Sequence, residues 1–160
     1  NKKVIALLAT TGTVNRPYTD ELIKKYADGY KVIKVGSPSL AIIAERRLSS
    51  GETDIEGIKK AVKPLMELQG RDRPDVVILG CTHYPFIADV LERLMPDMMF
   101  IDTGRAIGKR VESVLSGLSE QNWTERSYDR AFYTGNLEDF DGRQRMVRSF
   151  GFKTLEQIEV

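Results

Sequence analysis

The sequence predicts an α/β fold built on a parallel sheet, and three observations carry this prediction. Short apolar runs that suit strands alternate along the chain with longer segments of helical periodicity. The run VIALLA is continuously apolar, as expected of a strand that is buried on both faces, and DVVILG is the most strand-like segment of the chain. Segments rich in Gly, Pro, Ser and Thr separate these elements. Strands that alternate with helices in this way form three-layer α/β domains with right-handed crossovers.

The first part of the chain contains four predicted strands and five predicted helices. Pro17 suits the first turn of one helix, and Gly29 ends that segment. Thr53 or Asp54 can cap a later helix, which Pro64 must kink or interrupt. In order, the predicted elements are a strand over 4–9, a helix over about 17–27, a strand over 31–35, helices over about 39–48 and 55–68, a strand over 75–80, a helix over 86–95, a strand over 98–102 and a helix over 106–118.

The last part of the chain has a different composition. The stretch SEQNWTERSYDR is polar and is predicted to be a connection. Asn136 can cap the helix that follows, and Gly151 marks its end. The predicted elements here are a strand over 131–135, a helix over 137–150 and a short strand over 154–160.

Composition narrows the classes of protein and partner. The 24 Lys and Arg residues and 23 Asp and Glu residues leave a net charge of +1, so no broad attraction to nucleic acid or anionic membranes is expected. No apolar run approaches the ~20 residues that a membrane-spanning helix needs. One cysteine cannot form an internal disulfide, which favours a reducing, cytoplasmic setting.

The stretch LGCTHYPF contains the single cysteine, Cys81, and the single histidine, His83. Cys81 follows a strand and precedes a helix, so it lies at the carboxyl edge of the predicted sheet, where ligands collect. Backbone N–H groups and the helix start favour a thiolate there. A buried, inert cysteine and a structural histidine explain the residues equally well. Direct pairing requires a loop, and a Cys-His hydrolase would also need an oxyanion hole that the sequence does not establish.

Other candidate sites are weaker. One Cys and one His without CxxC or HxxxH spacing do not predict a metal site. GRAIGKR has too few residues between its glycines for a phosphate loop, so it is predicted to start a helix. Thr10 and Thr13 in ATTGTV could hold a carboxylate or ammonium group, although an ordinary capping turn would use the same residues. Glu45 lies in LAIIAERR, where a solvated face is the default interpretation.

Several stretches, in this order, resemble glutamate racemases of the aspartate/glutamate racemase superfamily. GCTHYP after DVVIL closely resembles the second cysteine motif, and its His-Tyr-Pro continuation looks specific to the glutamate enzymes. LLATTGTVNRPY resembles the threonine loop of the family, and SPSLAIIAE is similar to a segment that ends in glutamate. IDTG and FYTGNLEDF also fit, so the resemblance covers nearly the whole chain.

The resemblance implies a cofactor-independent isomerase that interconverts L- and D-glutamate and supplies D-glutamate for peptidoglycan. Glutamate is then the expected partner, and neither a cofactor nor a metal is expected. In the family, one thiolate removes the α-proton and a second thiol returns a proton on the opposite face. By this resemblance Cys81 is the second catalytic cysteine, while Thr82 and His83 touch the substrate.

Three further roles are implied by the resemblance. His83 would assist proton transfer at Cys81, and Glu45 would support the histidine side of the site. Thr10 and Thr13 would bind the carboxylate or amino group of the substrate. Ser37 stands before Pro38 where many members have cysteine, and it is a poor candidate for proton transfer.

The sequence also departs from the family pattern. It has no second cysteine and no Asn-Thr motif that carries one. The resemblance therefore implies that the chain is a C-terminal portion. Residues 1–102 would form the second α/β domain, and residues 103–160 would return to complete an absent first domain. Such a chain alone would be inactive, and its uncovered apolar surface could form a homodimer.

Two alternatives remain open at the sequence level. A racemase for aspartate or another amino acid would use the same chemistry with two thiols. A non-catalytic binding domain of the same fold would also explain the missing cysteine.

Overall fold

The computed structural model describes residues 3–117 and 129–159, and its main element is a four-stranded parallel sheet. A smaller sheet of two parallel strands lies near the C-terminus. The strands are β1 (Val4–Ala9), β2 (Lys31–Gly36), β3 (Val76–Leu79), β4 (Met99–Ile101), β5 (Arg130–Tyr133) and β6 (Thr154–Gln157). The helices are α1 (Thr11–Val14), α2 (Pro17–Tyr26), α3 (Leu40–Ser50), α4 (Ile55–Met66), α5 (Ala88–Leu94), α6 (Gly104–Leu115) and α7 (Phe140–Ser149).

The strand order of the larger sheet is β2-β1-β3-β4, and every neighbouring pair is parallel. The predicted parallel α/β fold is therefore confirmed. The chain leaves β1 for β2 on one side and later returns to place β3 on the other side of β1. The direction of winding thus reverses between β1 and β3. In open parallel sheets, ligands bind outside the carboxyl ends of the strands at such a reversal.

One face of this sheet holds the main core. Along β1 the side chains of Val4, Ala6 and Leu8 are buried, while Ile5 and Leu7 are only partly covered. Because successive side chains of a strand point to opposite faces, one face is fully covered and the other is half open. Helices α3, α4 and α5 pack on the covered face, and they contribute Leu40, Ala44, Ile58, Val62, Leu65, Val90 and Leu91 to the core.

Helix α4 shows one confirmed cap and one corrected prediction. The backbone N–H of Gly57 donates to Oδ1 of Asp54 at 2.8 Å, so Asp54 caps the helix. Pro64 was expected to kink or interrupt this helix, and the interruption does not occur, because α4 continues through Pro64 and ends two residues later at Met66. A proline in the last turn removes only one late backbone hydrogen bond, so the helix can continue through it.

Two other boundaries differ from the predictions. Helix α7 is capped by Asp139 rather than Asn136, because the carboxylate of Asp139 accepts from the backbone N–H of Gly142 at 3.1 Å. The segment predicted as a helix over 86–95 begins instead with a 3-10 turn, Tyr84–Ile87, before α5. Most of the predicted polar connection, residues 119–128, lies outside the described residues.

Strands β5 and β6 with helix α7 form a separate C-terminal unit. The unit packs on the larger domain through α7, which lies against α3. The rings of Phe86 and Phe150 also meet there, with their centroids 5.7 Å apart. Helix α6 begins at Gly104, as GRAIGKR predicted, and none of its residues is buried.

Candidate active site

The carboxyl edge of β1, β2 and β3 is shaped by two glycines that permit close contacts. A Cβ atom at Gly80, directly after β3, would lie 2.8 Å from Cδ1 of Leu7 and 3.1 Å from Cβ of Ala9. A Cβ atom at Gly36, the last residue of β2, would lie 2.6 Å from Cγ2 of Val14. A side chain at either position would force its neighbours to shift, so the two glycines let the loops after β1 and β3 lie close to the strand ends.

Cys81 and His83 lie in the turn between β3 and the 3-10 turn, and their side chains meet. The Sγ atom of Cys81 is 3.8 Å from Nδ1 of His83, within reach of a sulfur hydrogen bond. The hydroxyl of Thr82 lies 3.5 Å from the same nitrogen. Cys81 and His83 are partly buried, whereas Thr82 is exposed. A neutral imidazole with its proton on Nε2 can accept the thiol proton at Nδ1.

Tyr84 anchors this turn, and the sequence analysis gave it no role. Its side chain is fully buried, and its hydroxyl lies 3.5 Å from the backbone oxygen of Ser37, at the end of β2. Burial raises the pKa of the Tyr84 phenol well above its usual range, and the nearby Cys81 adds to this effect. The phenol therefore stays protonated and can hold the Cys81 turn against β2.

Ser37 has a structural role at the start of α3. Its side chain is 2% exposed, and its hydroxyl accepts from the backbone N–H groups of Ser39 and Leu40 at 3.3 and 3.2 Å. These two bonds satisfy donors that the first turn of a helix leaves free. The hydroxyl of Ser37 thus stabilises the start of α3.

The threonine loop forms the short helix α1. The hydroxyls of Thr10 and Thr13 are 2.9 Å apart, and the N–H of Thr13 also lies 3.3 Å from the Thr10 hydroxyl. This is the capping turn that the sequence left open as an alternative. Two hydroxyls that share one hydrogen bond keep one O–H for a ligand.

The threonine loop and the Cys81 turn lie side by side. Leu8 of β1 pairs with Leu79 of β3, and the backbone N–H of Gly80 donates to the backbone oxygen of Leu8 at 2.8 Å. Thr10 lies two positions after Leu8, and Cys81 lies two positions after Leu79, so both residues are equally far from the last pair of the two strands. The structure therefore brings these two predicted groups together where the winding of the sheet reverses.

Glu45 lies apart from this cluster in its contacts. Its carboxylate forms an ion pair with the guanidinium of Arg143 on α7. Both side chains are only partly exposed, at 35% for Glu45 and 26% for Arg143. Nothing in the sequence indicates this partner, because the two residues are 98 positions apart.

A cleft of about 730 Å³ opens beside the end of β2, between α3 and α4. Its lining includes Ser37, Ile42, Arg46, Lys60 and Pro64, and Cys81 is not part of it. Within residues 3–117 and 129–159, no group of three or more His, Cys, Asp or Glu side chains could hold a metal ion. None of the helices in these ranges has the length and apolar character needed to cross a membrane.

The chain was compared with families of proteins, with curated proteins and with solved structures. A scan against models of protein families finds no match. Among curated proteins, the chain is 40% identical to glutamate racemase from Glaesserella parasuis serovar 5 (strain SH0165), over 96% of the chain and 57% of that protein. It is also 40% identical to glutamate racemase from Actinobacillus pleuropneumoniae serotype 7 (strain AP76), over 99% of the chain and 58% of that protein.

Solved structures agree with these relatives. The fold matches Escherichia coli glutamate racemase, solved in complex with L-glutamate and the activator UDP-MurNAc-ala, with a TM-score of 0.91 and 28% identity. The match covers 100% of the chain and 59% of that protein. Francisella tularensis glutamate racemase, solved with D-glutamate, matches at a TM-score of 0.74 and 21% identity, which supports the fold alone. The chain is a homologue of the glutamate racemases, and it spans a little over half the length of the relatives it matches.

Proposed function

We propose that a polypeptide containing this chain racemises glutamate without a cofactor, and that Cys81 is one of its two proton-transfer thiols. The identity to glutamate racemases over nearly the whole chain carries this proposal. L-glutamate in the complex of the Escherichia coli protein supports glutamate as the substrate. The product D-glutamate would serve peptidoglycan synthesis, and the setting would be cytoplasmic.

The proposed proton transfer uses the contact between Cys81 and His83. With Nδ1 of His83 3.8 Å from Sγ, the imidazole can take the thiol proton and leave a thiolate. That thiolate would remove the α-proton from one enantiomer of glutamate. For the other enantiomer the neutral thiol would donate a proton to the same carbon. The chain has one cysteine, so the opposing thiol would come from outside these 160 residues.

The proposed substrate contacts surround the thiol. Charge that develops at the α-carbon is stabilised when donors hold the adjacent carboxylate. Thr10 and Thr13 keep one free hydroxyl proton between them, and they lie beside the Cys81 turn. Thr82 is exposed at the same edge. We assign these three hydroxyls to the substrate and Glu45 to support of the His83 side.

We further propose the domain division that the sequence suggested, with residues 1–102 as the second domain and residues 103–160 as a segment that completes another domain. The apolar side chains of α6 support it, because Ile107, Val111 and Val114 are each at least half exposed. The parallel pair β5 and β6 also supports the division, because a sheet of only two strands is marginally stable alone and further strands of another domain would extend it. In the chain alone, the uncovered apolar side chains could bring two copies together as a homodimer.

Exchange of the α-proton tests the proposed chemistry. In deuterated water the longer polypeptide should incorporate deuterium into both enantiomers of glutamate. The substitution Cys81→Ser should slow this by at least about a hundredfold, the usual contribution of a positioned acid or base. The 160-residue chain alone should not racemise glutamate.

Two outcomes would contradict this proposal. A Cys81→Ser protein that racemises at the wild-type rate would remove Cys81 from the mechanism. Faster turnover of D-aspartate than D-glutamate would move the substrate to another amino acid. Circular dichroism of both proteins controls for loss of fold.

A further inference from the structure

Helix α7 reaches the candidate site through two contacts. Arg143 pairs with Glu45 in the middle of α3. Phe150, directly after α7, packs on Phe86 in the 3-10 turn that follows His83, with ring centroids 5.7 Å apart. We propose that Arg143 is a positioning residue: its ion pair seats α7 on α3 and thereby fixes the turn that carries Cys81 and His83. This proposal rests on the proposed function only for the catalytic meaning of that turn.

The ion pair between Arg143 and Glu45 differs from the surface pairs of the chain. Lys31 and Asp72, for comparison, form a pair whose side chains are 57% and 62% exposed. The guanidinium of Arg143 is largely covered, and among the described residues its buried Nε has no hydrogen-bond partner. A charge held in this way depends on its counter-ion much more than an exposed one does. Loss of either partner should therefore loosen the contact between α7 and α3.

Helix α3 transmits this contact to the Cys81 turn. Its Arg47 donates from Nη1 to the backbone oxygen of Phe86 at 3.0 Å and pairs with Asp89 on α5. The N–H of Phe86 in turn donates to the backbone oxygen of His83 at 3.1 Å. Phe86 is thus held by α3 on one side and by Phe150 on the other. A shift of α7 would remove the Phe150 support of Phe86, which follows His83 by three positions, and would leave this residue held by Arg47 alone.

The experiment measures Cys81 directly in the full-length protein. Alkylation by iodoacetamide is followed at the peptide that contains Cys81 by mass spectrometry, and hydrogen exchange is followed at residues 81–87. With Arg143→Met, we expect alkylation at fixed pH and exchange of this segment to speed up about fivefold or more, since small losses of local stability change opening equilibria by such factors. Exchange in β1 should not change.

Two variants separate positioning from general stability. Arg143→Lys restores a cation near Glu45 and should recover most of the wild-type alkylation rate. Arg148→Met makes the matched change on an exposed residue of the same helix and should have no effect. If Arg143→Met leaves the Cys81 segment as protected as Arg148→Met does, the proposal is wrong. If Arg143→Lys fails to rescue it, the charge pair is not the positioning contact.

The same measurements distinguish this proposal from the proposed function. Alkylation and exchange at Cys81 require no turnover, so they remain informative for a protein that does not racemise glutamate. If the protein is active, Arg143→Met should lower kcat more than it raises KM, because Thr10 and Thr13 lie on another loop and only Thr82 lies in the loosened turn. A glutamate racemase with unchanged kcat in Arg143→Met would contradict the positioning role alone. If Arg143→Met does not fold, Glu45→Gln tests the same pair.

Discussion

Helices α4 and α6 are each 12 residues long and amphipathic, yet their apolar residues have opposite surroundings. In α4, Ile58, Val62 and Leu65 are completely buried against the sheet and its neighbouring helices. In α6, Ile107 and Val111 are 55% and 51% exposed. An amphipathic pattern therefore predicts a helix and its apolar face, but it does not say whether these 160 residues contain the partner for that face.

The largest expected effect comes from a matched substitution in the two helices. Ile58→Ala should lower the free energy of unfolding by about 2–5 kcal/mol, because it leaves a cavity in a closed core. Ile107→Ala in the 160-residue chain should change it by no more than about 0.5 kcal/mol. Urea unfolding of both variants measures the difference.

The same two substitutions, Ile58→Ala and Ile107→Ala, also test whether α6 is covered in a longer polypeptide. In a longer polypeptide, a domain that covers α6 should raise the cost of Ile107→Ala toward that of Ile58→Ala. An unchanged small cost there would contradict the proposed domain division. An equally large cost in the 160-residue chain would show that α6 already has a partner.

A second pair of variants compares close packing with open space. Gly80→Ala would place a methyl group 2.8 Å from Leu7 and should destabilise the protein by about 1–3 kcal/mol. Gly108→Ala lies within α6, where a Cβ meets nothing within 4 Å. Because alanine favours helix more than glycine does, Gly108→Ala should stabilise by about 0.5–1 kcal/mol. Thermal unfolding should show shifts of opposite sign, and equal shifts would contradict the placement of one of them.

The smallest expected effect concerns the partly exposed ion pair between Arg47 on α3 and Asp89 on α5. The hydrogen bond from Arg47 holds the pKa of Asp89 on α5 below its usual value of 3.8. A carboxyl with a lowered folded pKa stabilises the protein above its unfolded pKa, and this contribution is lost as pH falls through the folded value. Because Asp89 is 48% exposed, solvent screening limits the loss in Asp89→Asn near neutral pH to less than about 1 kcal/mol.

Unfolding measured at neutral and acidic pH checks the sign of this effect. The difference between wild type and Asp89→Asn should shrink as the pH falls below 3.8, the usual carboxyl value. Asp72→Asn, which breaks an exposed pair with Lys31, should cost less at neutral pH. A gap that grows toward acid would contradict the role of the charged carboxylate.

Much of the fold followed from local patterns. The apolar run of β1 was predicted to its exact bounds, and the predictions for β2 and β3 missed by one residue at the ends that differ. The helix starts were harder where two caps compete. Asn136 and Asp139 both suit a cap, and only the contact from Gly142 decides for Asp139. Pro64 does not interrupt α4, because it lies in the last turn, and the sequence pattern did not show how close to Pro64 the helix would end.

The part of the candidate site that was predicted also depends on residues that are neighbours in the chain. Cys81, Thr82 and His83 lie within one turn, so their closeness follows from the sequence once the turn is known. Arg143 could not be predicted, because nothing in α7 marks which of its arginines meets Glu45. Tyr84 also escaped notice, since its hydroxyl partner is 47 residues away. The catalytic roles themselves remain proposals that the exchange experiment tests.

By itself the sequence determined the parallel α/β class, most strand positions, and a lone Cys-His pair at the end of a strand. These features depend on side-chain periodicity and on chain neighbours. The tertiary structure alone decided that β3 lies beside β1, which brings the threonine loop next to Cys81. It also decided that α4 is covered, that α6 is open, and that α7 meets α3. Those outcomes depend on contacts between distant residues, whose pairing no local pattern encodes.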